Sequence, residues 1–181
     1  MIKLVPKFLL FFSFLIINCA KAQDFYTVSV IDVAERFVNI HAKLFPETDT
    51  LLMSPYGATH LKDGWATFVR NLNATNSNGE RIELRRLENG VFLLPPENKG
   101  KLINLTYDVA ILHDQGKWPF GYKEAAYVKN DMLMTTGNAL FITRTDMDST
   151  QVIFQLNKSY RVTNAWKEMT PNHFVLTGAD P

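Results

Sequence analysis

The sequence has little cysteine, and this restricts the chemistry open to it. Its only cysteine, Cys19, lies in an apolar segment near the N-terminus. The chain after this segment therefore cannot form a disulfide bond, a thiol nucleophile or a thiolate metal site. A domain without these features has to be held together by its hydrophobic core.

The motifs of common catalytic sites are also missing. The sequence contains no G-x-S-x-G, no glycine-rich phosphate loop and no H-E-x-x-H, and no two of its four histidines are four residues apart. Two histidines with nearby carboxylates could form a zinc site, but we interpret them as unrelated loop residues: His60, Asp63, His113 and Asp114. We therefore expect no catalytic residue, no metal ligand and no cofactor in this chain.

The N-terminal segment has the order of a secretory signal. Lys3 and Lys7 precede an apolar run at residues 8–17, and Ala20 and Ala22 place small residues where a signal peptidase cleaves. The apolar run is shorter than the ~20 residues of a membrane-spanning helix. We therefore expect a signal peptide at 1–22, one domain at 23–181, and a periplasmic or extracellular location.

Cys19 offers a second interpretation, in which it becomes a lipidated N-terminus. Asn18 stands where a lipoprotein signal usually has a small residue, so we favour cleavage after Ala22. Loss of residues 1–22, with three lysines and no acid, changes the formal charge from +1 to −2. Such a charge favours neither nucleic acid nor an anionic membrane as a partner.

Apolar residues alternate with polar ones along much of the chain. In 37–44, Val38, Ile40, Ala42 and Leu44 alternate with polar residues, and 102–112 shows the same period of two around Tyr107. This period is typical of half-buried strands. Further strands are predicted at 25–31, 51–54, 80–87, 140–143, 152–156 and 174–177.

Turn signals support this assignment. Asn78-Gly79 and Asn89-Gly90 flank the run 80–88, and Asn-Gly provides the positive φ angles of tight hairpin turns. We predict two hairpins that share one strand, forming a meander over about 67–94. Helical signals are limited to short stretches near Trp65 and at 122–128. The sequence therefore predicts an all-β, antiparallel β-sandwich with few short helical turns.

A dense aromatic loop is the most distinctive candidate binding feature. Trp118, Phe120 and Tyr122 lie in it together with Pro119 and Gly121. Such a loop can present an anchor to a sugar or a protein partner. The alternative is that its rings fold back and close the open end of the sandwich.

The order of several segments resembles a known family. These segments include Tyr26-Thr-Val-Ser-Val30, the strand around Tyr107, and Gly137-Asn-Ala-Leu-Phe141. In this order the chain is similar to the N-terminal β-domain of the glycyl-aminopeptidase-like metallopeptidases, peptidase family sixty-one. Two of the family's usual turns are replaced, at residues 54–60 and 157–160.

The resemblance implies a function that this chain does not perform alone. Members of the family add a zinc-binding catalytic domain and usually a PDZ domain, and the sequence ends about where the catalytic domain is expected. The chain is therefore expected to be a truncated or fragmentary member, with no activity of its own and with zinc only in the missing domain. It would be a non-catalytic accessory domain of a secreted or periplasmic zinc aminopeptidase-like protein.

The expected partners follow from the same resemblance. The domain would pack on the catalytic domain in cis and border its substrate cleft, with peptide substrate as a candidate ligand. Gly137 and Asn138 are expected to face that cleft, with Trp118, Phe120 and Tyr122 nearby. The alternative function is a free-standing secreted β-sandwich module that binds a protein or a glycan. Neither function involves nucleic acid, or a membrane after signal cleavage.

The first prediction concerns the N-terminus of the exported protein. Because small residues stand at Ala20 and Ala22, the protein recovered outside the cytoplasm is expected to begin at Gln23. Intact mass spectrometry measures this directly. A mass that includes residues 1–22, or one that starts at a lipidated Cys19, would contradict it.

Overall fold

The computed structural model describes residues 23–114, 126–147 and 149–177. Its largest sheet has eight strands. In spatial order these are β13 (Lys167–Thr170), β14 (His173–Thr177), β12 (Ser149–Leu156), β1 (Asp24–Val30), β2 (Phe37–Leu44), β8 (Ile103–Ala110), β4 (Val69–Asn76) and β5 (Arg81–Ile82).

A smaller sheet and a hairpin complete the strands of the described residues. The four-stranded sheet has the order β11 (Ile142–Arg144), β3 (Thr50–Met53), β7 (Val91–Leu93) and β6 (Arg85–Arg86). The hairpin consists of β9 (Tyr127–Lys129) and β10 (Met132–Met134). Short 3₁₀ turns lie at Val33–Glu35, Gly64–Phe68 and Pro96–Asn98, and a single α-helical turn, α1, lies at Gly137–Leu140. The predicted mostly-β fold with few helical turns is confirmed.

One strand pair departs from the antiparallel pattern. β1 and β12 are parallel, with Asp24 opposite Thr150 and Val30 opposite Leu156, whereas the other pairs of neighbouring strands are antiparallel. Parallel strands need a long connection, and here the connection is most of the domain. The period of two gives no information on strand direction, so this pair was not predictable from it.

The core lies between the two larger sheets and contains side chains from both. In β2, the four predicted apolar residues are all buried, whereas Asn39, His41 and Lys43 are exposed. The same alternation buries Tyr107 of β8 and Tyr26 of β1. From the smaller sheet, Met53, Phe92 and Ile142 enter the same cluster. Since successive strand residues point to opposite faces, one sheet face is buried and the other is polar.

Both Asn-Gly turns are present, but the predicted meander is wrong. Asn76 N–H donates to the Glu80 carbonyl across the first turn, and Leu87 N–H donates to the Val91 carbonyl across the second. The run between them does not form one strand. β5 pairs with β4 in the larger sheet, and β6 pairs with β7 in the smaller one. The chain crosses between sheets at residues 83–84, which local pairing signals cannot reveal.

The predicted helix around Trp65 is reduced to a 3₁₀ turn. Gly64–Phe68 forms this turn, and β4 begins directly after it at Val69. Trp65 is buried, and its indole N–H donates to the Tyr56 carbonyl. The helical spacing of the apolar residues therefore arises from two consecutive elements, the 3₁₀ turn and β4. Each of them buries its own apolar residues. β4 also contains a bulge at Asn71, which has a φ of 52°.

A buried ionic group ties the beginning of β1 to the end of β11. Arg144 lies between two carboxylates, with its Nε 2.6 Å from Asp24 and its Nη1 2.7 Å from Asp146. The Phe45 N–H also donates to Asp24. Burial raises the pKa of Asp24, and the hydrogen bond from Arg144 opposes this rise. Removal of the arginine would leave two shielded carboxylates without a cation, which is strongly destabilising.

The second prediction separates backbone strain from steric conflict at the two turns. Gly79 and Gly90 have φ angles of 83° and 73°, so alanine at either position is expected to cost about 1–2 kcal/mol. A Cβ at Gly79 meets open space, whereas one at Gly90 would lie 2.4 Å from the Met53 carbonyl oxygen. Gly90→Ala should therefore lose about a further 1–3 kcal/mol of unfolding free energy, measured by urea denaturation. Equal losses would contradict the packing of the second turn.

Candidate functional site

A cavity of about 480 Å³ lies beside the β9–β10 hairpin and is the candidate site. One wall is the continuous segment 131–137, which includes β10. A second wall is the segment 159–164, which follows β12. Apolar side chains form the floor: Val30, Val33, Leu140, Phe154, Leu156 and Trp166. The size is within the range of about 300–1,000 Å³ that is typical of ligand pockets.

Two buried tyrosines hold the segment that follows this wall. The Tyr107 hydroxyl accepts a hydrogen bond from the Ile142 N–H at 3.0 Å and donates one to the Leu140 carbonyl at 2.9 Å. The Tyr26 hydroxyl donates to the Ile142 carbonyl at 2.9 Å. These bonds connect the larger sheet to α1 and to β11, the edge strand of the smaller sheet. Burial raises the pKa of both phenols, so both keep the proton that they donate.

Aromatic rings fix the floor of the cavity near Gly137. Trp166 stacks against Phe154 with ring centroids 6.3 Å apart, and it lies 6.2 Å from Phe141. Phe141 in turn lies 4.7 Å from the ring of Tyr26. A Cβ added at Gly137 would lie 3.6 Å from Phe141 and 3.8 Å from Trp166, which are ordinary contact distances. The chain itself therefore does not require glycine at this position.

Of the two predicted site residues that the structure describes, one lines the cavity and the other does not. Gly137 lines the cavity, whereas Asn138, the next residue of α1, is not among the lining residues. Trp118, Phe120 and Tyr122 lie outside the described residues, so their predicted position near the cleft stays a prediction. The segment 137–141, which carries part of the resemblance, thus lines the cavity through Gly137 and Leu140.

The histidines do not form a recognisable metal centre. Across 23–114, 126–147 and 149–177 no cluster of three or more metal-binding side chains occurs. The carboxylates beside His60 and His113 pair with arginines instead, Asp63 with Arg86 at 2.9 Å and Asp114 with Arg36. Burial lowers the pKa of His113, and the nearby His60 adds to this effect.

Most of the cavity was missed by the sequence analysis. β9 and β10 contain three residues each, too few for a period of two to stand out. The turn between them is Asn130-Asp131, with Asn130 at a φ of 51°. Asparagine followed by aspartate, between Tyr-Val-Lys and Met-Leu-Met, was the signal that could have indicated this hairpin. The second wall, 159–164, has no regular sequence pattern, so only the fold brings it to the cavity.

The fold is that of a β-sandwich domain. Its described residues form a cavity of the size that binds ligands, and they contain no recognised catalytic cluster. The sequence profile of the Peptidase M61 N-terminal domain matches residues 25–177. The chain belongs to this family.

One solved structure shows the same fold within a longer chain, and a second is similar at a lower score. An aminopeptidase N family protein from Idiomarina loihiensis is 11% identical, with a TM-score of 0.58 over 86% of this chain and 27% of its own. A mutant M1 zinc metallopeptidase from Deinococcus radiodurans, bound to a Tyr-Ser-Ala substrate, is 12% identical, with a TM-score of 0.48 over 86% of this chain and 38% of its own. The chain thus spans well under half the length of either protein.

Two further comparisons are negative. No curated protein matches the chain in sequence. Within the residues that the structure describes, no helix has the length and apolar character needed to cross a membrane.

The third prediction tests the two tyrosines. Tyr107→Phe leaves the Leu140 carbonyl and the Ile142 N–H without this partner, whereas Tyr26→Phe affects only the Ile142 carbonyl. At about 1–3 kcal/mol for each buried unsatisfied group, Tyr107→Phe should be the more destabilising change. Urea denaturation of both variants measures the difference. A smaller loss for Tyr107→Phe than for Tyr26→Phe would refute the double role of Tyr107.

Proposed function

We propose that this chain is the non-catalytic N-terminal accessory domain of an exported zinc aminopeptidase-like protein. In this proposal it packs on a catalytic domain in cis and borders the substrate cleft. The observation that carries the proposal is the family match over 25–177. The fold likeness to an aminopeptidase N family protein, of which this chain covers 27%, agrees with it.

Two features of the chain support the accessory role. Among the described residues, the histidines and carboxylates that could serve catalysis are dispersed or paired with arginine, so the chemistry would have to come from another domain. Met132 and Met134 of β10 are exposed beside the cavity, at 46% and 43% of their surface. Exposed methionines adapt well to a packing partner.

Export is the second part of the proposal. It rests on the order of charged, apolar and small residues in 1–22. Signal cleavage after Ala22 would leave Gln23 immediately before β1.

The alternative function is a free-standing secreted module that binds a protein or a glycan. The cavity is the observation that favours it, because a ligand-sized space is already formed within this domain alone. The two functions differ in one respect that is simple to examine. The coding DNA beyond codon 181 should contain an H-E-x-x-H segment, in frame or frameshifted, if the accessory role is right.

The fourth prediction concerns the purified, exported chain. It should contain no stoichiometric zinc and should hydrolyse no aminoacyl p-nitroanilide or short peptide, because a catalytic zinc needs three protein ligands and an activated water. Elemental analysis and a chromogenic assay measure the two properties. A one-to-one zinc content that is lost in His60→Ala or His113→Ala would overturn the non-catalytic assignment.

A further inference from the structure

The middle residue of β10 has backbone groups that its hairpin partner does not use. A two-residue turn joins β9 to β10, so the flanking pair, Lys129 and Met132, exchanges both backbone hydrogen bonds. The next pair, Val128 and Leu133, is then of the non-bonded kind. The Val128 N–H confirms this, because it donates to the His113 carbonyl at 2.9 Å on the far side of β9. The N–H and C=O of Leu133 therefore point away from β9.

The open edge of β10 runs along the cavity. Side chains of a strand point alternately to opposite faces, so a cavity on one face would be lined by every second residue. Here Met132, Leu133 and Met134 all line it, within the continuous segment 131–137. The lining is thus not confined to one face of β10. It includes Leu133, whose N–H and C=O point to the edge of β10 that no strand of the described residues pairs with.

The remainder of the cavity is suited to an extended chain. The segment 159–164 also lines it, and the residues that form its floor are apolar. Asp131 and Arg161 contribute one charge of each sign to the lining, so the site as a whole is neutral. The ring of Trp166 is already in contact with Phe154 and Phe141, which leaves it poorly placed as a stacking platform for a sugar.

We propose that this cavity binds an extended, uncharged peptide segment, which adds as a third strand to the open edge of β10. The Leu133 N–H would donate to a peptide carbonyl, and the Leu133 C=O would accept from a peptide N–H. Alternate apolar side chains of the peptide would contact the floor at Leu140, Phe154 and Leu156. This is recognition by β-strand addition, in which the backbone provides affinity and pockets provide selectivity.

The inference goes beyond the accessory role and does not depend on it. The Leu133 edge and both walls belong to this chain, so binding should occur without a catalytic domain. Zinc or hydrolysis in the purified chain would overturn the accessory role and leave this site intact. Loss of peptide binding would overturn this site and leave the accessory role intact.

The experiment titrates the exported chain, labelled with ¹⁵N, with a positional library of acetylated and amidated pentapeptides that alternate threonine with apolar residues. We expect saturable chemical-shift changes at residues 131–137 and 159–164, and slower hydrogen exchange at the Leu133 amide. Absence of saturable binding by every library member up to about 1 mM, the limit of weak specific affinity, would overturn the proposal.

Two isomeric N-methylated derivatives of the tightest-binding peptide provide a test that leaves the protein unchanged. One carries its single N-methyl group on the central residue, and the other carries it on the next residue. Strand addition uses the amides of alternate residues, so one isomer should bind about tenfold more weakly or worse, the loss expected for one hydrogen bond, while the other is affected less. Equal binding by both isomers would contradict the backbone pairing.

Matched variants at Leu133 test the protein side. Leu133→Pro and Leu133→Ala both shorten a half-buried side chain, but only proline removes the outward N–H, which an edge strand tolerates. Proline should weaken binding about tenfold relative to alanine, and thermal unfolding checks that both variants fold. If the proline variant does not fold, the N-methylated isomers decide. Equal affinities in two folded variants would overturn the proposal.

Salt dependence and competing ligands complete the design. Because the lining is neutral, the affinity should change by less than about twofold between about 50 and 500 mM NaCl. A steep decrease with salt would show recognition by charge instead. Binding of a glycan at 131–137, or a dimer that Leu133→Pro dissociates, would assign the cavity to that occupant and overturn the peptide proposal.

Discussion

The hydroxyl of Tyr107 connects the larger sheet to α1 and to the smaller sheet. It bonds two backbone groups of the segment that contains α1 and β11, and Tyr26 bonds a third. β11 is an edge strand, and edge strands normally leave a row of backbone groups without partners. Here the side chains of Tyr107 and Tyr26 bond the backbone N–H and C=O of Ile142 in β11. They do so in a low-dielectric interior, where such bonds are worth more than at a surface. The position of Gly137, and with it one cavity wall, follows from these contacts.

The opposite end of β11 is fixed by a different interaction. Arg144, its last residue, is held between Asp24 and Asp146. Buried ion pairs seldom add much stability compared with an apolar core, because desolvation offsets their attraction. They do define geometry, since a shifted strand would leave unpaired charges in the interior. A strand of only three residues is thus anchored at both ends by side chains distant in sequence.

Local patterns predicted the strands better than they predicted how the strands combine. The alternation around Ile40 and Tyr107 identified β2 and β8, since their buried faces repeat every two residues. The same pattern could not show that Arg81 and Arg85 belong to different sheets. Both lie in one run between two Asn-Gly pairs, which are equally strong signals of a hairpin turn. The bonds of Tyr107 and Arg144 join residues 33 and 120 positions apart, beyond the reach of any local signal. Gly137, which lines the cavity, was singled out in the sequence only through the family resemblance, as a residue facing a substrate cleft, and that role stays a prediction.

The parallel pairing of β1 with β12 has a consequence for how the chain reaches this structure. Thr150 lies 126 positions after Asp24, its partner. Contacts between such distant residues raise the contact order, and domains rich in them fold slowly. The central region of the larger sheet therefore cannot close until nearly all of the domain has been synthesised. Until β12 arrives, β1 is left exposed to mispairing with other strands.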